Sequence, residues 1–231
     1  MFRHVLALAS EYPSLALGQG TPGLLSPREE AILAGLTFLP RRRKWLLGRA
    51  AAKLLVRELL GSGVDLASIS VLNRSSGEPF VILEGQGEWT RAISLSHRGE
   101  AGLAAAPESF GSRIGADLET IAPRAPALVR QFFTEREAAV VASSGDECDE
   151  AVARIWSAKE AVLKLAGLGL RCDTRTIEVS LDAVSIPGCP AGFGAIAVKA
   201  GAEALSPAVA ESMRVVWRRV GDLVLTVAVA E

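Results

Sequence analysis

Residues 112–119 read Ser112-Arg113-Ile114-Gly115-Ala116-Asp117-Leu118-Glu119. This is a β-strand pattern whose two faces differ in chemistry. Successive side chains on a strand point to opposite sides, so Ile114, Ala116 and Leu118 share one face and Gly115, Asp117 and Glu119 the other. Two carboxylates on one dry face repel, and such a pair calls for solvent, a basic partner or a metal ion. A solvated face is the plain reading of a bare D-x-E. Gly115 adds a second feature, because a missing side chain there leaves room for a ligand close to the backbone.

About forty residues on, the chain reads as a helix over 149–166. Val152, Ile155, Trp156, Val162, Leu163 and Ala166 fall on one side at 3.6 residues per turn. Lys159 lies inside this apolar stripe, where an ammonium must snorkel or meet an anion. Glu160 and Lys164 lie on its flank one turn apart. Their plain reading is a surface ion pair worth only about 0.3–0.5 kcal/mol.

Working outward, residues 5–9 read as a first strand. Ser26-Pro27-Arg28-Glu29 opens a helix, with Ser26 as N-cap, Pro27 at the first helical position and Glu29 as the capping-box acid. A second helix spans about 42–60 and stops at Gly61-Ser62-Gly63. Gly77-Glu78-Pro79 is a turn. Residues 89–96 and 102–106 read as two strands. The Pro107-to-Gly111 stretch is the most plausible junction between halves. Helices fit 128–133 and 135–142. Two terminal strands, 213–220 and 223–230, flank the hairpin signal Gly221-Asp222. The mixed order, without regular βαβ alternation, indicates an α+β fold. No internal repeat is visible in the sequence.

Composition narrows the setting. The chain has 231 residues and a net charge of −1, so no global field favours nucleic acid or membranes. Three widely spaced cysteines, Cys148, Cys172 and Cys189, form no CxxC pair, which points to a reduced, cytoplasmic compartment. The short apolar N-terminus reads as a buried strand rather than a signal peptide. No apolar run approaches the roughly 18 residues of a membrane helix.

Gly115-Ala116-Asp117-Leu118-Glu119, followed by Trp156-Ser157-Ala158-Lys159-Glu160-Ala161-Val162-Leu163-Lys164, resembles the paired signature of the Sfp-type 4′-phosphopantetheinyl transferases, G-x-D-x-E and W-x-x-K-E-A/S-x-x-K. Four further stretches are similar to the same family: Leu47-Gly48-Arg49-Ala50-Ala51-Ala52-Lys53, Gly77-Glu78-Pro79, Ile93-Ser94-Leu95-Ser96-His97 and Phe132-Phe133-Thr134-Glu135-Arg136-Glu137. These matches cover residues 25–170.

The resemblance implies two similar α+β halves related by a pseudo-twofold. Residues 1–108 would form the coenzyme A side and residues 109–231 the metal and catalytic side. It implies transfer of 4′-phosphopantetheine from coenzyme A to a serine of an acyl or peptidyl carrier protein, with release of adenosine 3′,5′-bisphosphate. Asp117, Glu119 and Glu160 would hold Mg²⁺, a hard cation that takes oxygen ligands. Arg42, Arg49, Gly77, Pro79, Ser96, His97, Lys159 and Lys164 would contact coenzyme A. Asp117, Glu160 and Lys164 would act in catalysis. Lys164 would reach the pyrophosphate and stabilise or protonate the leaving oxygen. Glu160 is also a candidate base for the serine, and the sequence leaves its two roles open. Phe132, Phe133, Arg130 and Arg136 are candidates for carrier contacts, with one phenylalanine exposed. A monomer suffices.

Glu78 and Leu168 depart from the basic residues some relatives carry at these places, which touches the coenzyme A and carrier contacts but not the metal site. Two rival readings stand beside this one. An inactive coenzyme A or carrier-protein binding homologue would have lost carboxylates, and none is lost. A different Mg²⁺-dependent phosphoryl enzyme would carry a Gly-rich phosphate loop, and no Walker sequence occurs.

Overall fold

The computed structural model describes residues 1–231, the side chains of Leu170 and Ala183 excepted. The chain divides into two units, Phe2–Phe110 and Gly111–Glu231, with Met1 counted in the second. Both mix helix and antiparallel sheet, and the fold is α+β.

The first unit contains β1 (Phe2–Leu8), α1 (Pro13–Ala16), α2 (Pro27–Gly35), α3 (Leu39–Leu60), β2 (Ile69–Asn73), β3 (Pro79–Leu83), β4 (Gly87–Trp89), β5 (Ser94–Arg98) and β6 (Ala101–Pro107). Two three-stranded sheets form, ordered β1-β6-β5 and β2-β3-β4. The sequence expectation of one strand over 89–96 is corrected: β4 ends at Trp89, β5 begins at Ser94, and the two belong to different sheets. Helix α3 stops at Gly61, whose φ of 111° takes the chain out of helical geometry. Strand β6 is nearly all small residues, so α3 lies close upon it. A Cβ at Gly102 would stand 2.5 Å from the Leu47 carbonyl carbon.

The second unit contains β7 (Arg113–Thr120), α4 (Pro126–Phe132), α5 (Glu135–Ser143), α6 (Cys148–Ala166), β8 (Ile177–Val184), β9 (Gly194–Ala200), α7 (Pro207–Ser212), β10 (Arg214–Val220) and β11 (Leu223–Ala230). One five-stranded sheet runs β7-β11-β10-β9-β8. Strand β11, Leu-Val-Leu-Thr-Val-Ala-Val-Ala, is apolar on both faces because nearly all of it is buried. Helix α6 packs across β7 and β11 and buries Ile155, Ala158, Ala161, Val162 and Leu163 completely. Its C-cap is Gly167 in the left-handed region, as a helix stop of this kind requires.

Each unit contains the same polar device. In the first, Ser26 caps α2 and Glu29 returns a carboxylate oxygen to the Ser26 N–H at 2.9 Å. The other Glu29 oxygen accepts from the Val71 N–H at 3.0 Å, and Lys53 of α3 donates to the carboxylate. In the second, Thr134 caps α5, and Glu137 accepts from the Thr134 N–H at 2.7 Å and the Val179 N–H at 2.8 Å. Lys159 of α6 stands 2.9 Å from Glu137 and also donates to the carbonyls of Thr174 and Ile177. All four charged side chains are fully buried. A repeat invisible in the sequence is therefore present in the structure.

A buried ion pair loses most when one partner is removed, because the other is left as an uncompensated charge. Lys159→Met is expected to lower unfolding free energy by about 3–5 kcal/mol, measured by urea denaturation. A loss below about 1 kcal/mol would show that the pair is not a structural tie.

Candidate active site

The acids of β7 are positioned by the contact between β7 and α6. Gly115, Asp117 and Glu119 share the strand face that α6 covers. A Cβ at Gly115 would stand 1.9 Å from the Ala161 carbonyl oxygen and 2.5 Å from the Leu165 nitrogen. The reading of Gly115 as room for a ligand is corrected: the missing side chain admits the helix backbone. That close approach brings α6 side chains over the carboxylates. Gly115→Ala should therefore destabilise the fold by about 3 kcal/mol or more, measured by thermal or urea unfolding, since backbone on both sides must move.

Lys164 donates to one oxygen of Asp117 at 2.7 Å and to the Ala116 carbonyl at 3.0 Å. The plain reading of Glu160 and Lys164 as a surface pair thus gives way to a pair between helix and strand. Asp117 and Glu119 are nearly buried, at 5% and 6% exposure. Arg124, in the loop after β7, donates to Glu119 and to the Thr120 carbonyl at 3.2 Å. The sequence reading missed Arg124. Its only signal was a cation five residues beyond an acid, in a proline-broken loop.

Glu160 stands half-buried on α6, one turn before Lys164. Burial raises its carboxyl above the ordinary value, and the negative charges of Asp117 and Glu119 raise it further against the pull of Lys164. Three acids and one lysine named from the sequence therefore stand in one electrostatic neighbourhood.

Lys159 does not join them. Its ammonium is fully buried on the Glu137 carboxylate and two carbonyls, so the expectation of a coenzyme A contact is corrected. Phe133 is buried and Phe132 is half-buried against Trp156, with ring centroids 5.2 Å apart, so neither phenylalanine is exposed. Arg130 and Arg136 are exposed.

In the first unit, Arg42 is spent on structure: its guanidinium donates to the carbonyls of Gly18, Leu33 and Leu36. Arg49 is buried at 5% exposure and donates to Asn73 Oδ1 at 2.7 Å. Burial holds its guanidinium down at about 10 against the pull of Glu29. Both arginines, expected near a coenzyme A phosphate, here hold groups of the chain itself. Asn73, unread in the sequence, donates in turn to the Gly77 carbonyl at 2.8 Å and ties Arg49 to the Gly77–Pro79 turn. Ser96 and His97 lie on β5, half-buried and exposed respectively.

Among the described residues, no group of three or more His, Cys, Asp or Glu side chains is gathered as a metal cage while the side chains stand this way. The donor set still suits a hard cation, since Asp117, Glu119 and Glu160 offer carboxylate oxygens. Two of these acids already attract positive charge, from Lys164 and Arg124.

The segment holding this acid–lysine cluster falls within a match to a family model. The family model of the 4′-phosphopantetheinyl transferase superfamily matches residues 113–200. No curated protein matches the chain. Solved structures similar to it include a holo-(acyl-carrier-protein) synthase from Bacillus anthracis in complex with CoA (3′,5′-ADP), at 22% identity over 46% of this chain and 91% of that one, with a TM-score of 0.38. The Neisseria meningitidis holo-[acyl-carrier-protein] synthase is 24% identical over 52% of this chain and 97% of its own, with a TM-score of 0.40. A Chronobacterium ammoniagenes ACPS–CoA complex is 18% identical over 52% and 97%, with a TM-score of 0.41.

The raised carboxyl of Glu160 has a measurable sign. A group that binds its proton more tightly when folded favours the folded state below its unfolded value, here 4.5, and loses that contribution as pH rises through the raised folded value. Glu160→Gln is therefore expected to be more stable than the parent at pH 8, with the difference shrinking as pH falls through the raised folded value and largely gone below 4.5. Urea unfolding of both proteins across pH measures it, and a difference independent of pH would contradict it.

Proposed function

We propose that the chain transfers the 4′-phosphopantetheine moiety of coenzyme A to a serine of an acyl or peptidyl carrier protein. The observation that carries this reading is the superfamily match over the same segment that brings Asp117, Glu119, Glu160 and Lys164 into one neighbourhood. In this reading the unit Gly111–Glu231 is the metal and catalytic side and Phe2–Phe110 the coenzyme A side.

Asp117, Glu119 and Glu160 would hold Mg²⁺, which masks pyrophosphate charge and polarises the phosphorus when bound. The serine Oγ attacks the β-phosphorus of coenzyme A. A phosphorus–oxygen bond forms to the serine, and the bond to the leaving phosphate oxygen breaks. The serine proton passes to a base, and adenosine 3′,5′-bisphosphate departs. Glu160 is the candidate to take that proton. Lys164 sets an ammonium beside Asp117, where it opposes charge growing on the leaving oxygen. Ser96, His97 and the Gly77–Pro79 turn are assigned to the coenzyme A phosphates. Among the described residues, no helix is long and apolar enough to cross a membrane, and a cytoplasmic monomer is part of this proposal.

The test incubates the purified chain with apo carrier proteins, coenzyme A and Mg²⁺ and reads carrier mass. One phosphopantetheinyl addition is expected, abolished by chelator and reduced at least 100-fold by Asp117→Ala, about 2.7 kcal/mol of transition-state stabilisation. Tight coenzyme A binding with no modification of any carrier would overturn the reading.

A further inference from the structure

Thr226 lies on β11 directly opposite Asp117 of β7 in the antiparallel register. Directly paired residues point to the same face, with Cβ atoms about 4.5–5.5 Å apart. That face is the one α6 covers at Gly115, so Thr226 and Asp117 are neighbours on the strand face beneath the helix. Thr226 is fully buried, and among the described residues its Oγ1 has no hydrogen-bond partner. A buried hydroxyl without an acceptor is destabilising. A valine of the same shape would avoid that cost, and all but one of the residues of β11 are apolar.

The neighbours of Thr226 narrow what its proton could serve. On its other side the register pairs it with Trp217, whose indole offers no acceptor oxygen. Along β11 its same-face neighbours, Val224 and Ala228, lie opposite Glu119 and Gly115. The nearest carboxylate in register is that of Asp117, one oxygen of which accepts from Lys164.

We propose that Thr226 is a positioning residue for Asp117. When Lys164 turns from Asp117 toward a phosphate, the Thr226 hydroxyl donates to the carboxylate and holds its orientation for a divalent cation. This rests on the proposed transferase reading, because a phosphate-bearing ligand is what draws Lys164 away. A buried threonine kept for packing alone would leave metal affinity untouched, and replacing its unpaired hydroxyl at constant shape would only relieve the cost of burying it.

The test compares Thr226→Val, Thr226→Ser and Thr226→Ala in the full chain. Thr226→Val is expected to unfold at the parental midpoint or above it. Its Mg²⁺ affinity, read by calorimetry with coenzyme A present, should fall about tenfold or more, as loss of a group that orients a metal ligand does. Transfer to carrier protein should fall with it. Thr226→Ser should restore affinity relative to Thr226→Ala, which keeps the measurement informative if the valine variant folds poorly. Parental Mg²⁺ affinity in Thr226→Val, or equal affinities in the serine and alanine variants, would overturn the inference. A parent that binds Mg²⁺ and coenzyme A but modifies no carrier would instead overturn the transferase reading, and the affinity comparison would still decide the role of Thr226.

Discussion

One buried carboxylate organises the Gly111–Glu231 unit. Glu137 accepts from the Thr134 N–H that begins α5 and from the Val179 N–H of β8, and it pairs with the Lys159 ammonium of α6. Three pieces of chain distant in sequence thus meet on two oxygens. A charge in that position is tolerable because the carboxylate and the ammonium are both well partnered, Lys159 also donating to the carbonyls of Thr174 and Ile177. The consequence for the site is indirect but strict. Lys159 and Glu160 are adjacent on α6, so locking Lys159 into the core turns Glu160 to the flank and, one turn later, Lys164 toward β7.

The second constraint is the distance between α6 and β7. A glycine at 115 lets helix backbone rest on strand backbone, and at that separation the Lys164 side chain reaches both Asp117 and the Ala116 carbonyl. The arrangement sets three carboxylates together in partial burial, which raises the proton affinity of Glu160. Such crowding opposes folding, and sites that bind cations and phosphates commonly carry a cost of this kind. Lys164 and Arg124 offset part of it.

The Phe2–Phe110 unit repeats the device with Glu29, Lys53 and the Val71 N–H, and it repeats the close helix-on-strand contact at Gly102. There the surrounding residues differ. Arg49 joins Glu29 and reaches Asn73, and Arg42 clasps three loop and helix-end carbonyls. The two arginines of α3 that drew attention as phosphate ligands are therefore largely framework.

Much of this was legible in the sequence because it is local. The Ser26 capping box, the glycine stops at 61 and 167, the turn at 221–222 and the two-residue periodicity of β7 depend on neighbours within a few positions. The acids and Lys164 were also named, because their residue types and spacing follow a known signature. Tertiary structure decided the rest. Lys159 and Lys164 are both lysines of one helix, yet one meets Glu137 in the core and the other meets Asp117 at the site. Gly115 faces a helix rather than a ligand. Arg124, Asn73 and Thr226 matter only through partners that folding brings near. The internal repeat was hidden because it is carried by a capping residue, a glutamate and a lysine, with one glutamate–lysine pair spaced 24 residues apart and the other 22. Residue type sets what a side chain can do, but whether it does so depends on which charges and backbone groups surround it once solvent is excluded.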